Sequence, residues 1–403
     1  MCTLCSTPTR PFVSPGRVLI GSNSSSNCAP ELAAIGVQPS HGQILVVADS
    51  VVVELGLHDS MTSSLREAGY TVYVAAGVTG EPSPETVRAL LPPSNVEIAA
   101  VVALGGGSAL DAAKLVSAVL VNPLDLTAGL TPDAEIVPGP PIMAVPTTAG
   151  TGAEATAVAM LWHNKGKRMF VHPFLVPRVV LLDPDLLSAL PKSVTAAGGF
   201  DAVGHAIESL LSTNRTPLTA AAALEALSLL AWALPAAYDT GSQESRYGTA
   251  LGAYQAGLAL NASVVLGHSL AYAVASRTGL PHGVTVAMAL PYCLAHARPA
   301  SEDHIAEIAE VVCESRDPEL LIKWIVDQAR RMQIPLSLAE LGVDRAELSA
   351  IADDCVQNYP RPNHPVPIDS PSVLGLLERM YDGEPLEAWR SADIRTAHSE
   401  ALT

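Results

Sequence analysis

Residues 99–114 read AAVVALGGGSALDAAK, an apolar run, then three glycines, then residues at helical spacing. The run AAVVAL at 99–104 is short, β-branched and closed by glycine, as buried strands are. Gly105, Gly106 and Gly107 let the backbone turn and approach a ligand closely, and Ser108 follows them at the start of a helix. A helix start offers unpaired N–H groups and the positive end of the helix dipole. The turn therefore reads as an anion cradle suited to a diphosphate. It lacks the GxGxxG spacing of the common dinucleotide fingerprint, and taken alone a tight structural turn remains an alternative.

On either side of this stretch the same alternation continues. ILVVA at 44–48, TVYVA at 71–75, IMAV at 142–145 and VVLL at 179–182 read as further buried strands, while SSLREAG and SALDAAKLVSAVL carry helical spacing. Strands alternating with helices imply a largely parallel sheet covered on both faces. After Asp183 and Pro184 the pattern changes to helix, over about 193–212, 217–237, 244–260, 263–278, 284–296, 301–314, 318–332, 345–358 and 371–381. The expected organisation is an α/β domain over 1–188 and an all-α domain over 189–403, with the change near 185–192. YPRPNHPVPIDS at 359–370 reads as a Pro-rich loop, and the last fifteen or so residues carry no strong pattern.

A length of 403 residues favours two packed units. With 49% hydrophobic and 16% charged residues the chain has ample core material and no disordered composition. A net charge of −17 repels nucleic acid in the absence of a basic patch. AAAALEALSLLAWALPAA is interrupted by Glu225 and Pro235 before it reaches the length of about 20 apolar residues that a membrane span needs, so it is expected to be a buried helix. The start, MCTLCSTPTRPF, lacks the pattern of a secretory signal, which makes the cytoplasm the default location. Cys2 and Cys5 form one CxxC without a second pair, read as an unimportant feature of the tail.

A second loop, VPTTAGTGAEAT at 145–156, also leaves a strand and offers the hydroxyls of Thr147, Thr148 and Thr151. Two such loops on neighbouring strand ends suit a dinucleotide lying across the carboxyl edge of a sheet. Asp49, which ends the strand ILVVA, could bind a ribose hydroxyl and repel a 2′-phosphate, favouring NADH over NADPH. A helix N-cap is an equally good account of it.

Asp201 and His205 in GGFDAVGHAIES are four apart on a helical pattern and share one face, with Glu208 one turn further on. His268 in LGHSLAY and His282 in GLPHGV lie fourteen apart, the second in a Pro-His-Gly turn that begins a helix. Three imidazoles and a carboxylate suit Fe(II) or Zn(II) acting as a Lewis acid.

GGGSALDAAK, PTTAGTGAEAT, GFDAVGHAIES and GLPHG, in that order, resemble the iron-containing (group III) alcohol dehydrogenase family over residues 12–381. The resemblance implies a Rossmann-like N-terminal domain, a helical C-terminal domain, a cleft holding NAD(P)H and iron or zinc, and a homodimer. Asp201, His205, His268 and His282 fall on the family's metal ligands at separations of 4, 63 and 14 residues. The intact aspartate argues against maleylacetate reductase, a similar branch that usually lacks it. Gly105, Gly106, Gly107, Ser108, Asp111, Thr147, Thr148, Thr151 and Lys167 fall on its cofactor-contacting positions.

Many members carry a second histidine four residues after the third ligand, where this chain has Tyr272. HSLAY, TGLPHG, AMLWHNKGKR and TNRTPLTAAAALEAL look like the phosphonoacetaldehyde reductase branch, which makes 2-hydroxyethylphosphonate. On the family reading Tyr272, or water held by a ribose hydroxyl, is a candidate proton donor, and Tyr272 and His282 are the candidate catalytic residues. Arg277, Arg215 and Arg361 are candidates for the phosphonate, Arg277 first because it lies between two ligands. A surface arginine is the ordinary explanation of each. Trp162 and Trp232 are expected in the core, His163, His172 and His296 at the surface or near the site, and Cys293 as a buried hydrophobe. Competing functions are an alcohol or diol dehydrogenase of the same family and a cyclising lyase of the related dehydroquinate synthase type.

Overall fold

The structure is a computed structural model that describes residues 9–164 and 166–392, so Cys2 and Cys5 lie outside the described residues. The chain opens with β1 (Arg17–Ile20), α1 (Cys28–Ala34), β2 (Gln43–Asp49), α2 (Ser50–Glu54), α3 (Asp59–Glu67), β3 (Val72–Val78) and α4 (Pro84–Ala89). Then come β4 (Ile98–Gly105), α5 (Gly107–Val119), β5 (Ile142–Pro146), β6 (Val158–His163), β7 (Gly166–Val171) and β8 (Val179–Leu182). β6 and β7 form an antiparallel hairpin, and the other strands build one parallel sheet in the order β1-β8-β5-β4-β2-β3.

Alternate residues of each strand go to opposite faces of the sheet. Leu45, Val47, Val101 and Ala103 join α5 in one buried cluster, and Ile44, Val46, Ala100 and Val102 join α1 and α3 in another. Burial on both faces is why these strands read as unbroken apolar runs. β3 lies on one side of β2 and β4 on the other, which leaves a crevice at their carboxyl ends.

The remainder is helical: α6 (Lys192–Leu211), α7 (Pro217–Asp239), α8 (Gln243–Ala259), α9 (Leu266–Thr278), α10 (His282–Cys313), α11 (Pro318–Arg331), α12 (Leu348–Asn358), α13 (Ser370–Asp382) and α14 (Pro385–Ser391). The expected helices over 284–296 and 301–314 are one element, α10, kinked where Ser301 leaves helical geometry two residues after Pro299. Sequence reading missed β1, the β6–β7 hairpin and α14, all short elements held by their tertiary partners. α7 is long and apolar enough to cross a membrane, and its buried face, including Ala223, Leu227 and Leu230, belongs to the core of the helical region.

Candidate active site

At the carboxyl edge of the sheet, Gly105 ends β4 at φ +149°, where a Cβ would lie 2.7 Å from that of Ala109. Gly106 is the N-cap of α5 and Gly107 its first residue. A Cβ on Gly106 would meet the Thr148 side chain at 3.3 Å, and one on Gly107 would meet Thr151 at 2.6 Å. The two loops therefore pack on each other only because these positions are bare. Thr147 donates its N–H to the Gly105 carbonyl at 2.9 Å, fixing the register between them. The free N–H groups of the first turn of α5, with Ser108 among them, remain to meet an anion.

Asp49 caps α2, its Oδ1 accepting the Val51 N–H at 2.8 Å, as the alternative reading of this residue expected. One oxygen is so engaged, and the residue stands at the end of β2 beside the glycine turn. Asp111 does not face the cradle as a free carboxylate. Its Oδ2 accepts the Met160 N–H at 3.1 Å, bracing β6 against α5.

The helical region supplies the second half of the site. Asp201 and His205 sit one turn apart on α6, His268 in the first turn of α9, and His282 at the start of α10. A Cβ on Gly283 would run into the Ala197 carbonyl and one on Gly204 into Val286, so two glycines let α10 cross α6 closely enough to bring these residues together. The Nε2 atoms of His205, His268 and His282 each lie 3.6 Å from Asp201 Oδ1. That is too long for hydrogen bonds. It is close to the separation of about 3.4 Å between two ligands bound tetrahedrally at about 2.1 Å to one ion.

The donor set fits a divalent metal on a second count, since the buried Asp201 Oδ1 and His268 Nε2 have no hydrogen-bond partner. Asp201, His205 and His268 place one ligand atom each within 4.8 Å of one another, and His282 joins through the shared carboxylate oxygen. Asp201, despite its burial, is held well below the usual carboxylate range by the three imidazoles. Burial pushes the His205 and His282 pKa values down, which leaves both neutral with lone pairs available. Burial opposes charge on His268 too, but Glu208 and Asp201 outweigh it and raise its pKa to about 10.

Tyr272, one turn beyond His268, stacks on the His282 ring with centroids 4.6 Å apart and planes 12° apart. Around it stand Tyr359 at 5.2 Å between ring centroids, Lys167 Nζ at 5.0 Å and Arg361 Cζ at 6.0 Å from the Tyr272 ring. Lys167 is paired with Glu81 at 2.6 Å. Arg361 keeps a buried Nε without a partner. Its loop is clamped at several points: Asn363 Nδ2 donates to Ser212 Oγ and the Val264 carbonyl, and Ser269 Oγ donates to the Tyr359 carbonyl.

The family model for iron-containing alcohol dehydrogenase matches residues 15–184, and that for the C-terminal domain of the Fe-containing alcohol dehydrogenase family matches 195–381. The chain belongs to the iron-containing alcohol dehydrogenase family. Long-chain-alcohol dehydrogenase 1 of Geobacillus thermodenitrificans is 32% identical over 91% of this chain and 96% of its own length. The NAD-dependent methanol dehydrogenase of Bacillus methanolicus is 30% identical over 87% and 95%. The crystal structure of a 1,3-propanediol oxidoreductase, 28% identical, covers 93% of this chain and all of its own, with a TM-score of 0.86. As a member of the iron-containing alcohol dehydrogenases, this chain is an oxidoreductase of alcohols and aldehydes that uses NAD(H) and a divalent metal.

Within this alcohol dehydrogenase, the arginines expected at the substrate separate. Arg277 is exposed in the last turn of α9, and Arg215 is paired with Glu307 on α10 at 3.4 Å, so only Arg361 stands beside Tyr272. Nine residues of helix place Arg277 more than two turns beyond His268. Trp162 and Trp232 are 37% and 46% exposed, against the expectation of core packing. His172 is buried, and its Nδ1 accepts the Phe174 N–H. Cys293 is buried, and that burial raises its thiol well above the ordinary range. Glu208, noted in sequence only as one turn past His205, is fully buried and bonds His268 Nδ1 at 2.6 Å. Its position in the helical repeat was the available signal.

Proposed function

We propose that this chain reduces phosphonoacetaldehyde to 2-hydroxyethylphosphonate with NADH. Asp201, His205, His268 and His282 hold the metal, and Gly105, Gly106, Gly107, Ser108, Thr147, Thr148 and Thr151 hold the dinucleotide. The observation that carries the substrate reading is Arg361 beside Tyr272, its buried Nε without a hydrogen-bond partner and its guanidinium in no ion pair among the described residues. Arg215 Nη1 and Arg246 Nε are also buried without partners, so what singles out Arg361 is its place beside Tyr272, where a phosphonate supplies the acceptor its Nε lacks. With this reading go a division of the chain at 188/189, a homodimer and a cytoplasmic location.

When bound, a divalent ion supplies Lewis-acid polarisation of a carbonyl and a reduced nicotinamide supplies hydride. The protein's own residues position and protonate. Neutral His205 and His282 keep lone pairs directed at the Asp201 oxygen, and Arg361 orients the anionic end of the substrate. The Tyr272 hydroxyl, on the ring stacked against His282, can deliver the proton to the product oxygen.

The test is the oxidation of NADH by the purified enzyme with phosphonoacetaldehyde and with propanal, before and after chelation. A kcat/KM at least about tenfold higher for the phosphonate, abolished by chelator and restored by Fe(II) or Zn(II), supports the reading. Equal or better turnover of propanal leaves a simple alcohol or diol dehydrogenase. Stoichiometric NADH consumption with either aldehyde excludes a cyclising lyase, which regenerates its cofactor within each turnover.

A further inference from the structure

We infer that Glu208 is a positioning residue that builds the metal site, by fixing the tautomer of His268 and joining α6 to α9. The inference rests on the proposed ligand role of His268. Three donors converge on this one carboxylate. His268 Nδ1 lies 2.6 Å from Oε1, and Oε2 accepts the Val265 N–H at 2.7 Å and the His268 N–H at 3.2 Å.

Val265 is the N-cap of α9 and has no side chain that could cap, so the first turn of α9 takes its cap from α6. The same carboxylate turns the imidazole. An acceptor on Nδ1 holds the proton there, so when a metal ion displaces the proton from Nε2 it is Nε2, 3.6 Å from Asp201 Oδ1, that offers the lone pair. Glu208 thereby couples the helix that carries Asp201 and His205 to the helix that carries His268.

Room for this is made in the sequence. A Cβ on Gly267 would lie 2.6 Å from Glu208 Oε1 and 3.3 Å from the Cys293 Cβ, so glycine is required for α9 to sit on the carboxylate. Glutamine cannot replace glutamate here. Its Nε2 is a donor, and in either orientation it faces at least one N–H or forces His268 into the Nε2–H tautomer.

The experiment is a competition between the full-length enzyme and a chromophoric chelator for Zn(II), comparing wild type with Glu208→Gln, with helicity and thermal unfolding of the metal-free proteins alongside. We expect Glu208→Gln to keep its helicity and bind Zn(II) about 10–100-fold more weakly. Unchanged zinc affinity would overturn the inference and leave Glu208 a helix cap only. A wild-type enzyme that binds no zinc or iron would remove the metal reading, and the inference with it. Should Glu208→Gln fail to fold, histidine ¹⁵N spectra of zinc-loaded wild type decide the matter. A His268 protonated at Nδ1 and bound through Nε2 supports the inference, and the opposite tautomer overturns it.

Discussion

The Tyr272 ring lies flat against the imidazole of His282, 4.6 Å between centroids, so the residue that replaces the family's frequent second histidine shares a face with a proposed metal ligand. Tyr272 thus stands next to a proposed metal ligand and to the two cations Lys167 and Arg361. Glu81 neutralises Lys167, and the net demand for an anion falls on Arg361.

Arg361→Ala should lower kcat/KM for phosphonoacetaldehyde by about 10–150-fold, the loss of a charge-assisted hydrogen bond of about 1.5–3 kcal/mol. Most of it should appear in KM, with turnover of propanal little changed. Arg277→Ala and Arg215→Ala should leave both substrates near wild type, because neither side chain stands at Tyr272. Steady-state kinetics of the three variants checks this, and a phosphonate preference that survives Arg361→Ala contradicts the assignment.

Gly107→Ala should separate cofactor binding from metal binding. The added methyl would lie 2.6 Å from Thr151, forcing the two cofactor loops apart at a strain of about 1–3 kcal/mol. NADH affinity, measured by fluorescence titration, should fall about 5–150-fold. Zinc content should stay at the wild-type level, since the cluster around Asp201 lies on other elements.

Glu154, a 3% exposed residue of the threonine loop, has its carboxyl raised by burial to about 7, with the Lys114 ammonium opposing the shift. The sign follows from the unfolded value of 4.5. Holding this group neutral stabilises the fold fully below that pH, and the contribution is lost as pH rises through about 7. Lys114, lowered to about 8 by its own burial, acts with the opposite sign, adding stability only as pH rises above that value. Asp111, raised by burial to about 6, acts with the same sign as Glu154, so the melting temperature should decline between about pH 5 and pH 7, and Glu154→Gln should flatten the part of that decline nearest pH 7. A variant with the wild-type slope would exclude Glu154 as its source.

The parallel sheet, the glycine turn and the change to helix after Asp183 were legible in sequence because burial on both faces, bare backbone and helical repeat are local signals. The Asp201 and His205 pair was legible for the same reason, being one turn apart on one helix. Tertiary structure decided the rest. Glycines 204 and 283 admit the α6–α10 crossing that carries His282 to the cluster, and Gly267 admits Glu208 against α9, contacts between segments far apart in the chain. Which arginine reaches Tyr272 was equally beyond local pattern. Arg277 is near the ligands in sequence and turned away by its helix, whereas Arg361 is remote in sequence and is held beside Tyr272 by a proline-rich loop clamped at Tyr359 and Asn363. Sequence by itself determined which side chains were available for metal and cofactor. Packing determined which of them meet, because distance along a chain does not fix distance across a fold.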